Sequence, residues 1–306
     1  MKENRSFDAI IIGGSYAGLS AAMALGRSLK KVLILDGEKP CNATTPYSHN
    51  FLTQDGKPPA AIAALARQQV ACYDTALLLT DPAIRAIASS SHFTIETLSG
   101  AVFEGRKLIF ATGIKDLLPD IKGLADCWGK SVIHCPYCHG YEYRNRKTGI
   151  LANGSAALHL AKLVHNLTKD LTLLTNGEPE FTDEEWHQLQ THHIAVRQTG
   201  IREVAHTGGQ IHRVIFNDYS TLLLDALYAR VPFVQHSNLP ATLGCALTEQ
   251  GYIQVDAFQK TTVPGVFACG DAVSPMRSVA SAVAGGNLAG AMVNNDLSQE
   301  NFMIPA

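Results

Sequence analysis

The chain has 306 residues, of which 46% are hydrophobic and 17% charged, so it can bury two domain cores and is not disordered. Its formal net charge of −2 gives no reason to expect nucleic acid or an anionic membrane as partner. No apolar run reaches the roughly 18 residues that a membrane span needs. Residues 1–5 lead into a strand-like run without signal-peptide features. Seven scattered cysteines favour a reducing, cytoplasmic location over a secreted disulfide scaffold.

The N-terminal segment predicts a strand (residues 7–12), a glycine turn, a helix (19–29) and a second buried strand (32–35), which form one βαβ unit of a parallel sheet. Free amides at the start of such a helix favour the pyrophosphate of a dinucleotide, and glycines permit its close approach. Asp36 ends the second strand, where a carboxylate binds ribose hydroxyls. The turn reads Gly13-Gly14-Ser15-Tyr16-Ala17-Gly18, with Ser15 in place of the usual second glycine.

A second unit of the same kind is predicted near the middle of the chain, with a strand at 148–152, a turn at 153–155, a helix at 156–167 and a strand at 171–174. The two units predict an α/β protein with two Rossmann-like dinucleotide-binding domains. Other predicted elements are a helix at 58–73, short strands at 93–110 around Gly100 and Gly105, short strands at 200–230, a strand at 264–268 and a last helix at 278–293.

Cys135-Pro136-Tyr137-Cys138 is the feature that most directly indicates chemistry. Two cysteines separated by two residues at a helix start can form a small disulfide, and a helix dipole or nearby cations stabilise the thiolate that exchanges electrons. His134 and His139 flank the pair. Either imidazole can stabilise a thiolate or move a proton to a departing sulfur. The pattern predicts a redox-active dithiol.

Two other interpretations of this pair stay open from the residues alone. His-Cys-x-x-Cys-His contains zinc-ligand residue types, although the sequence lacks the second C-x-x-C that a structural zinc site normally needs. Two inert buried thiols are the other alternative. We expect the remaining cysteines to be ordinary small residues, with Cys269 near a cofactor but unreactive: Cys41, Cys72, Cys127, Cys245 and Cys269.

The order of motifs resembles the low-molecular-weight thioredoxin reductase family over nearly the whole chain. The shared features are the N-terminal glycine turn, Ala111-Thr112-Gly113, the C-x-x-C pair, the second nucleotide unit and the segment at 265–271. The segment His-Cys-x-x-Cys-His-Gly-Tyr-Glu, at 134–142, is similar to that of fungal dithiol oxidases of the gliotoxin type.

The resemblance implies FAD as cofactor, bound by the first and last segments of the chain. The pyrophosphate would lie at the glycine turn, the adenosine ribose at Asp36, the ribityl and phosphate portion at the turn at 270–271, and the isoalloxazine near the start of the last helix. The implied cofactor-binding residues are Gly13, Gly14, Ser15, Ala17, Gly18, Asp36, Asn50, Ala111, Thr112, Gly113, Gly270, Asp271, Arg277, Ser278 and Val279.

The resemblance also implies roles for the catalytic residues. Cys138 would face the flavin as the charge-transfer thiolate, and Cys135 would attack the substrate disulfide. The family's usual acid, an aspartate directly after the second cysteine, is replaced by His139, which would then serve as acid and base.

The second nucleotide unit departs from the family pattern. Its turn reads Ala152-Asn153-Gly154-Ser155-Ala156-Ala157, so alanine replaces the first glycine. The family's His-Arg-Arg cluster for the 2′-phosphate of NADPH is replaced by a neutral turn at 175–177 followed by Glu178 and Glu180. A preference for NADPH is therefore doubtful, NAD(P)H stays a possible but doubtful cofactor, and NADH, ferredoxin or a dithiol substrate remain open as electron donors.

The predicted organisation is a discontinuous FAD-binding domain (1–115 and 242–306) with an inserted NAD(P)-binding-like domain (116–241) that carries the cysteine pair. The leading functional hypothesis is a disulfide reductase that passes electrons to a thioredoxin-like protein or a small disulfide. One alternative is an FAD-dependent oxidase that takes electrons from a small dithiol and delivers them to dioxygen. The other is a flavin-binding redox sensor. The resemblance implies a homodimer.

Overall fold

The computed structural model describes residues 5–303. The expectation about a leader at residues 1–4 and the last residues of the predicted FAD-binding domain lie outside this range. Within it, no helix is long and apolar enough to cross a membrane.

The first of the two large sheets has seven strands. Parallel strands β3, β2, β1 and β6 continue antiparallel into β5 and β4, and β17 (Val266–Ala268) pairs in parallel with the end of β6. The helices that follow β1 and β2 each pack one face against this sheet, where they share a buried hydrophobic cluster with it. The elements are β1 (Ser6–Ile12), α1 (Tyr16–Arg27), β2 (Val32–Leu35), α2 (Pro59–Ala71), β3 (Ala76–Leu79), β4 (Ala83–Ala88), β5 (Phe93–Thr97), β6 (Val102–Phe110) and, beyond the sheet, β7 (Ile114–Asp116).

A second sheet of five parallel strands has the order β11-β10-β9-β15-β8, and a three-stranded antiparallel sheet β12-β13-β14 packs beside it. The three middle strands of the five-stranded sheet, β10, β9 and β15, are almost entirely buried, as expected for a parallel sheet. The elements are α3 (Leu124–Cys127), β8 (Val132–Ile133), α4 (Pro136–His139), β9 (Thr148–Leu151), α5 (Gly154–His165), β10 (Leu171–Leu174), α6 (Asp183–Thr191), β11 (Ala195–Arg197), β12 (Ile201–Thr207), β13 (Gln210–Phe216), β14 (Thr221–Leu223) and β15 (Ala226–Ala229).

The chain then returns to the first sheet. Strand β16 pairs antiparallel with β7, so this two-stranded ribbon contains both connections between the sheets. The last helix packs against α1, where a Cβ on Gly286 would lie 2.0 Å from the Ala17 carbonyl oxygen, so glycine permits the close contact. The remaining elements are β16 (Phe233–Gln235), α7 (Leu239–Thr242), β17 (Val266–Ala268), a 3₁₀ turn (Gly270–Ala272) and α8 (Val279–Met303).

Two predicted element boundaries are wrong. Strand β6 runs unbroken through Gly105, where a Cβ would lie 2.8 Å from the Ile10 side chain, so this glycine allows close strand packing instead of ending a strand. Helix α8 continues ten residues beyond the predicted end at Val293. Its polar extension is held by Leu297, which is fully buried, and by Asp296, which accepts a hydrogen bond from Lys260 at 3.0 Å.

The predicted fold class is confirmed: two α/β nucleotide-binding folds, with the second inserted in the first. The domain bounds at 115, 116, 241 and 242 stay a prediction. The first falls within β7, one strand of the ribbon that joins the two sheets, and the second falls within α7, which follows the other strand.

Candidate active site

The first glycine turn is an open cradle. Gly13 has a φ of +110°, and a Cβ there would lie 2.2 Å from the Ala111 carbonyl oxygen. A Cβ on Gly18 would lie 1.8 Å from the Gly13 carbonyl oxygen. Ser15 precedes α1 in an extended conformation and makes no side-chain capping hydrogen bond with the described part of the chain. The first amides of α1 therefore remain available to an anion.

Asp36 lies beside this turn, as predicted, and is buried. Its Oδ1 accepts a hydrogen bond from the Gly14 amide at 3.1 Å, and its Oδ2 accepts one from Arg67 Nη2 at 2.7 Å. Arg67 comes from α2 and has no spacing signal in the sequence, so sequence reasoning missed it. The carboxylate thus has a fixed orientation at the end of β2, with a guanidinium beside it.

The C-terminal segment closes the cradle from the other side. Gly270 begins the 3₁₀ turn after β17 with a φ of +74°, and a Cβ there would lie 2.9 Å from the Ala17 Cβ. At the end of β6, Ala111 donates its amide hydrogen to the Ile12 carbonyl oxygen at 2.8 Å, which places the 111–113 turn beside Gly13. One edge of the sheet therefore brings together three segments that are distant in sequence: 13–18, 111–113 and 270–271.

These residues fit FAD, the cofactor implied by the fold. The glycine surface has no room for added Cβ atoms, the α1 amides suit a pyrophosphate, and the Asp36 carboxylate suits ribose hydroxyls. The Thr112 hydroxyl is buried without a hydrogen-bond partner in the range 5–303, so it is available to a bound molecule. The assignment of individual residues to FAD stays a prediction.

The cysteine pair lies at the start of α4, as predicted. Cys135 is the N-cap and Cys138 lies within the helix, with their two Sγ atoms 2.6 Å apart. The hydrogen bond from Cys138 lowers the pKa of Cys135 to about 7, against the opposing effect of burial. The same hydrogen bond, reinforced by burial, raises the pKa of Cys138. In the dithiol form, Cys135 therefore ionises first, which suits the attacking role assigned to it.

Arg277 joins the cysteine pair to the predicted flavin-binding segment. Its carbonyl oxygen lies 4.0 Å from Cys138 Sγ, and its guanidinium donates two hydrogen bonds of 2.8 Å to Asp116 at the end of β7. Burial alone would lower the pKa of Arg277, but the bonds to Asp116 raise it. Ser278 accepts a hydrogen bond from the Ser281 amide at 3.1 Å and so caps α8, which begins at Val279. Asp116 was not predicted.

His139 is the most unusual polar side chain near the pair. Both ring nitrogens are buried and have no hydrogen-bond partner among the residues described. Burial lowers the pKa of His139, opposed by the charge of Glu142 and reinforced by His49. A neutral imidazole with two unpaired nitrogens, directly after Cys138, is able to accept a proton. This geometry suits the predicted acid and base role.

His134 and Asn50 have different surroundings. His134 stacks on Trp128, and burial, followed by the charge of Arg277, lowers its pKa to about 4, so it is neutral near pH 7.

Asn50 is exposed, with a φ of +58°, and its main-chain amide donates a hydrogen bond to Asp55 Oδ1 at 2.7 Å. The neighbouring His49 lies 3.6 Å from a Glu142 oxygen, which brings the loop of Asn50 next to the segment after α4.

Cys41 lies closer to the site than expected. Its thiol donates to Asp271 Oδ2 at 3.5 Å, and burial of the sulfur, followed by the charge of Asp271, raises the pKa of Cys41 to about 12. Burial also raises the pKa of Cys269 to about 12. Burial, the largest effect, raises the pKa of Asp271 itself, while Arg277 opposes that shift. Neither thiol is activated as a nucleophile.

The turn of the second nucleotide unit is occupied by its own chain. Asn153 caps α5: its Oδ1 accepts hydrogen bonds from the Gly154 amide at 2.9 Å and the Glu180 amide at 3.0 Å. Its Nδ2 donates to the Glu178 carbonyl oxygen at 2.8 Å. A Cβ on Gly154 would lie 3.3 Å from the Glu180 carbonyl oxygen. The Asn153 cap and the main chain of the 178–180 segment therefore take up space at the start of α5 that the first turn leaves open.

The fold and the site define a flavoprotein oxidoreductase of the two-domain, thioredoxin reductase-like class. The family model described as pyridine nucleotide-disulphide oxidoreductase matches residues 7–286, and the chain belongs to this family. It is 35% identical to thioredoxin reductase tcpT of Claviceps purpurea, over 97% of this chain and 96% of that protein.

Two further comparisons agree with this placement. Thioredoxin reductase aclD of Aspergillus oryzae is 33% identical over 95% of this chain and 96% of its own length. The crystal structure of an oxidoreductase from Agrobacterium tumefaciens superposes with a TM-score of 0.90 at 38% identity, covering 96% of this chain and 99% of that one. The predicted family and enzyme class are confirmed: the protein is a thioredoxin reductase-like flavoprotein oxidoreductase.

Proposed function

We propose that this enzyme takes electrons from a dithiol substrate through Cys135 and Cys138, without using a nicotinamide dinucleotide. The observation that carries the proposal is the filled turn of the second nucleotide unit. Asn153 uses its side chain to bind three main-chain groups there, and the Glu178–Glu180 segment covers the start of α5. The open first turn offers a contrast, because its amides are free of such a cap.

The proposed exchange begins with the pair as a disulfide. A substrate thiolate attacks Cys135 Sγ, forms a mixed disulfide, and releases Cys138 as a thiolate. The second substrate thiol, after loss of its proton, attacks the substrate sulfur of the mixed disulfide. The substrate leaves as a disulfide, and Cys135 is released as a thiolate. Two electrons and two protons have then left the substrate, and we assign one of the protons to His139, whose ring nitrogens have no hydrogen-bond partner among the described residues.

When bound, FAD supplies the two-electron acceptor for the reduced pair, and dioxygen is the proposed terminal oxidant with peroxide as product. The chain's own contribution is to place Cys138 next to the Arg277 carbonyl and to hold Arg277 rigidly on Asp116. The substrate class is a small molecule or protein with two neighbouring thiols.

A second candidate is the reduction of a thioredoxin-like protein, and the names of the relatives from Claviceps purpurea and Aspergillus oryzae support it. The electron donor would then be NAD(P)H or another reductant. This alternative keeps the same cysteine pair and reverses the electron flow. A homodimer in the cytoplasm is proposed in either case, and the mass in solution tests the dimer.

Anaerobic titration of the flavin-loaded enzyme tests the two directions. We expect a dithiol such as dithiothreitol to bleach the flavin absorbance, and neither NADH nor NADPH to do so. Stoichiometric bleaching by either nucleotide would overturn the proposal in favour of a reductase. The second readout is peroxide formed after readmission of air, at one equivalent per dithiol consumed.

Cys138→Ser tests the pair itself. We expect this variant to retain flavin, because Cys138 holds none of the cradle, but to lose at least about a hundredfold in dithiol turnover, because no internal disulfide can form. Cys72→Ser is the matched control, since Cys72 is an exposed thiol on the C-terminal end of α2. Retained turnover in Cys138→Ser would remove the pair from the reaction.

A further inference from the structure

The hydroxyl of Tyr228 has no structural explanation. Tyr228 lies on β15, is 1% exposed, and belongs to the largest fully buried side chains. Its hydroxyl has no hydrogen-bond partner anywhere between residues 5 and 303. An unpaired buried hydroxyl costs free energy that phenylalanine of the same shape would avoid. A group that folding does not require is a candidate for chemistry.

The position of Tyr228 connects it to the cysteine pair. Strand β15 runs parallel to β8, and Tyr228 is in register with Ile133, two residues before Cys135. The two side chains lie in the same buried cluster. Burial, the largest effect, and then the charge of Cys135 raise the pKa of Tyr228, so its hydroxyl remains a donor across the physiological range. The other ionisable groups that influence it are Glu142, Tyr143 and Cys138.

The proposed exchange creates a need for such a donor. In the dithiol, the Cys138 thiol donates to Cys135. When the substrate disulfide departs, both sulfurs carry negative charge, and Cys138 has no proton to donate. Arg277 contributes positive charge, but its Nη atoms are already bonded to Asp116, and its Nε, which has no hydrogen-bond partner among residues 5–303, lies 3.9 Å from Asp271 Oδ2. The flanking imidazoles of His134 and His139 are both neutral at pH 7, because burial lowers the pKa of each.

We propose that Tyr228 donates a hydrogen bond to the Cys135 thiolate whenever Cys138 carries no proton, a role that rests on the function proposed above. The phenol then supplies, from the strand next to β8, the hydrogen-bond donor that the pair loses at this stage. Because its hydroxyl has no other partner to leave, the bond forms without breaking an existing one.

The test uses Tyr228→Phe in a Cys138→Ala background, which removes the competing thiol donor. The rate of Cys135 alkylation by iodoacetamide is followed by mass spectrometry of the Cys135 peptide between pH 5.5 and 9. Hydrogen bonds to charged groups are among the stronger ones, so we expect Tyr228→Phe to slow alkylation at pH 6.5 by about tenfold and move its midpoint about one unit upward.

Tyr143→Phe in the same background is the matched control. Tyr143 packs against the same buried cluster as Tyr228, but its hydroxyl donates to the Lys130 carbonyl oxygen at 2.9 Å. We expect it to leave the Cys135 profile unchanged and to lower the melting temperature. Tyr228→Phe should leave the melting temperature unchanged or raise it, because it removes an unpaired polar group. That difference separates a thiolate donor from a packing residue.

An unchanged alkylation profile in Tyr228→Phe would overturn the inference, as would an equal shift in Tyr143→Phe. The measurement uses reduced protein and no electron acceptor. Its result therefore does not depend on which electron donor the enzyme uses. Failure of dithiols to bleach the flavin would therefore refute the proposed function, while a shifted profile would still support the role of Tyr228 as the thiolate donor.

Discussion

The two nucleotide units of this protein share a scaffold and differ in what their turns can bind. In each unit a buried strand leads through a turn to a 12-residue helix, α1 in the first and α5 in the second. The first helix begins after Ser15, whose side chain does not cap it, whereas the second begins after Asn153, whose side chain does. The first amides of a helix can donate hydrogen bonds to a capping side chain, or they can remain free to bind an anion.

The comparison shows that a side chain that caps a helix also occupies an amide that would otherwise be free to bind an anion. A side-chain cap typically stabilises a helix by about 1 kcal/mol. At α5 that cap also anchors the Glu178–Glu180 segment over the site. At α1 the corresponding amides are left without a cap, and a bound pyrophosphate is the partner that would satisfy them.

The largest effect is expected for Gly18→Ala in the first unit. The new Cβ would lie 1.8 Å from the Gly13 carbonyl oxygen, a backbone atom that cannot move aside. We expect the free energy of unfolding to fall by more than about 3 kcal/mol. We also expect the variant to lose its bound flavin. Urea unfolding and flavin absorbance after gel filtration measure both quantities.

Gly154→Ala is the companion variant in the second unit. Its φ is +57° and the nearest atom to a new Cβ, the Glu180 carbonyl oxygen, would be 3.3 Å away. We expect a loss of about 1 kcal/mol and full flavin content. Equal losses in the two variants would contradict the claim that only the first turn holds a ligand.

Asp36→Ala is expected to have the next largest effect. It removes the acceptor of the Gly14 amide and the carboxylate that Arg67 Nη2 binds at the predicted ribose site, while Arg67 Nη1 keeps its bond to Glu38 at 3.3 Å. We expect at least about tenfold weaker retention of FAD, measured by flavin fluorescence during dialysis. Thr175→Ala, at the end of β10 in the second unit, should retain FAD as the unaltered protein does. Unchanged retention in Asp36→Ala would remove this residue from the adenosine site.

The smallest effect is expected for Asn153→Ala. Loss of the cap and of the bonds to the Glu178 and Glu180 main chain should lower the free energy of unfolding by about 1 kcal/mol, as measured by urea denaturation. Flavin content should not change. A drop in flavin content would show that the two units do not act independently.

The sequence predicted the features that depend on local chain geometry. The glycine turn, the acid at the end of β2 and the cysteine pair at a helix start follow from residue type and spacing, because each needs a particular backbone approach or helix terminus. The doubt about NAD(P)H also came from the sequence, since Ala152 and the acids after β10 are visible there. Asn153 as a cap fits the same reasoning in hindsight, because asparagine is a preferred N-cap residue.

The features that the sequence did not reveal depend on contacts between distant segments. Arg67 reaches Asp36 across 31 positions, and Asp116 reaches Arg277 across 161. No periodicity or spacing encodes such pairs. The unpaired hydroxyl of Tyr228 is equally invisible, because a tyrosine in a buried strand looks like a core residue until its surroundings are known. The polar end of α8 was missed because its burial comes from tertiary packing against the first sheet's cluster.

The clasp between Arg277 and Asp116 has a consequence for how the molecule responds to its surroundings. A guanidinium keeps its proton at any physiological acidity, and both side chains are largely shielded from dissolved ions, with 14% and 8% exposure. Salt should therefore not loosen this joint between β7 and the approach to α8. The Arg277 carbonyl oxygen, 4.0 Å from Cys138 Sγ, should therefore keep its place beside the cysteine pair as ionic strength varies.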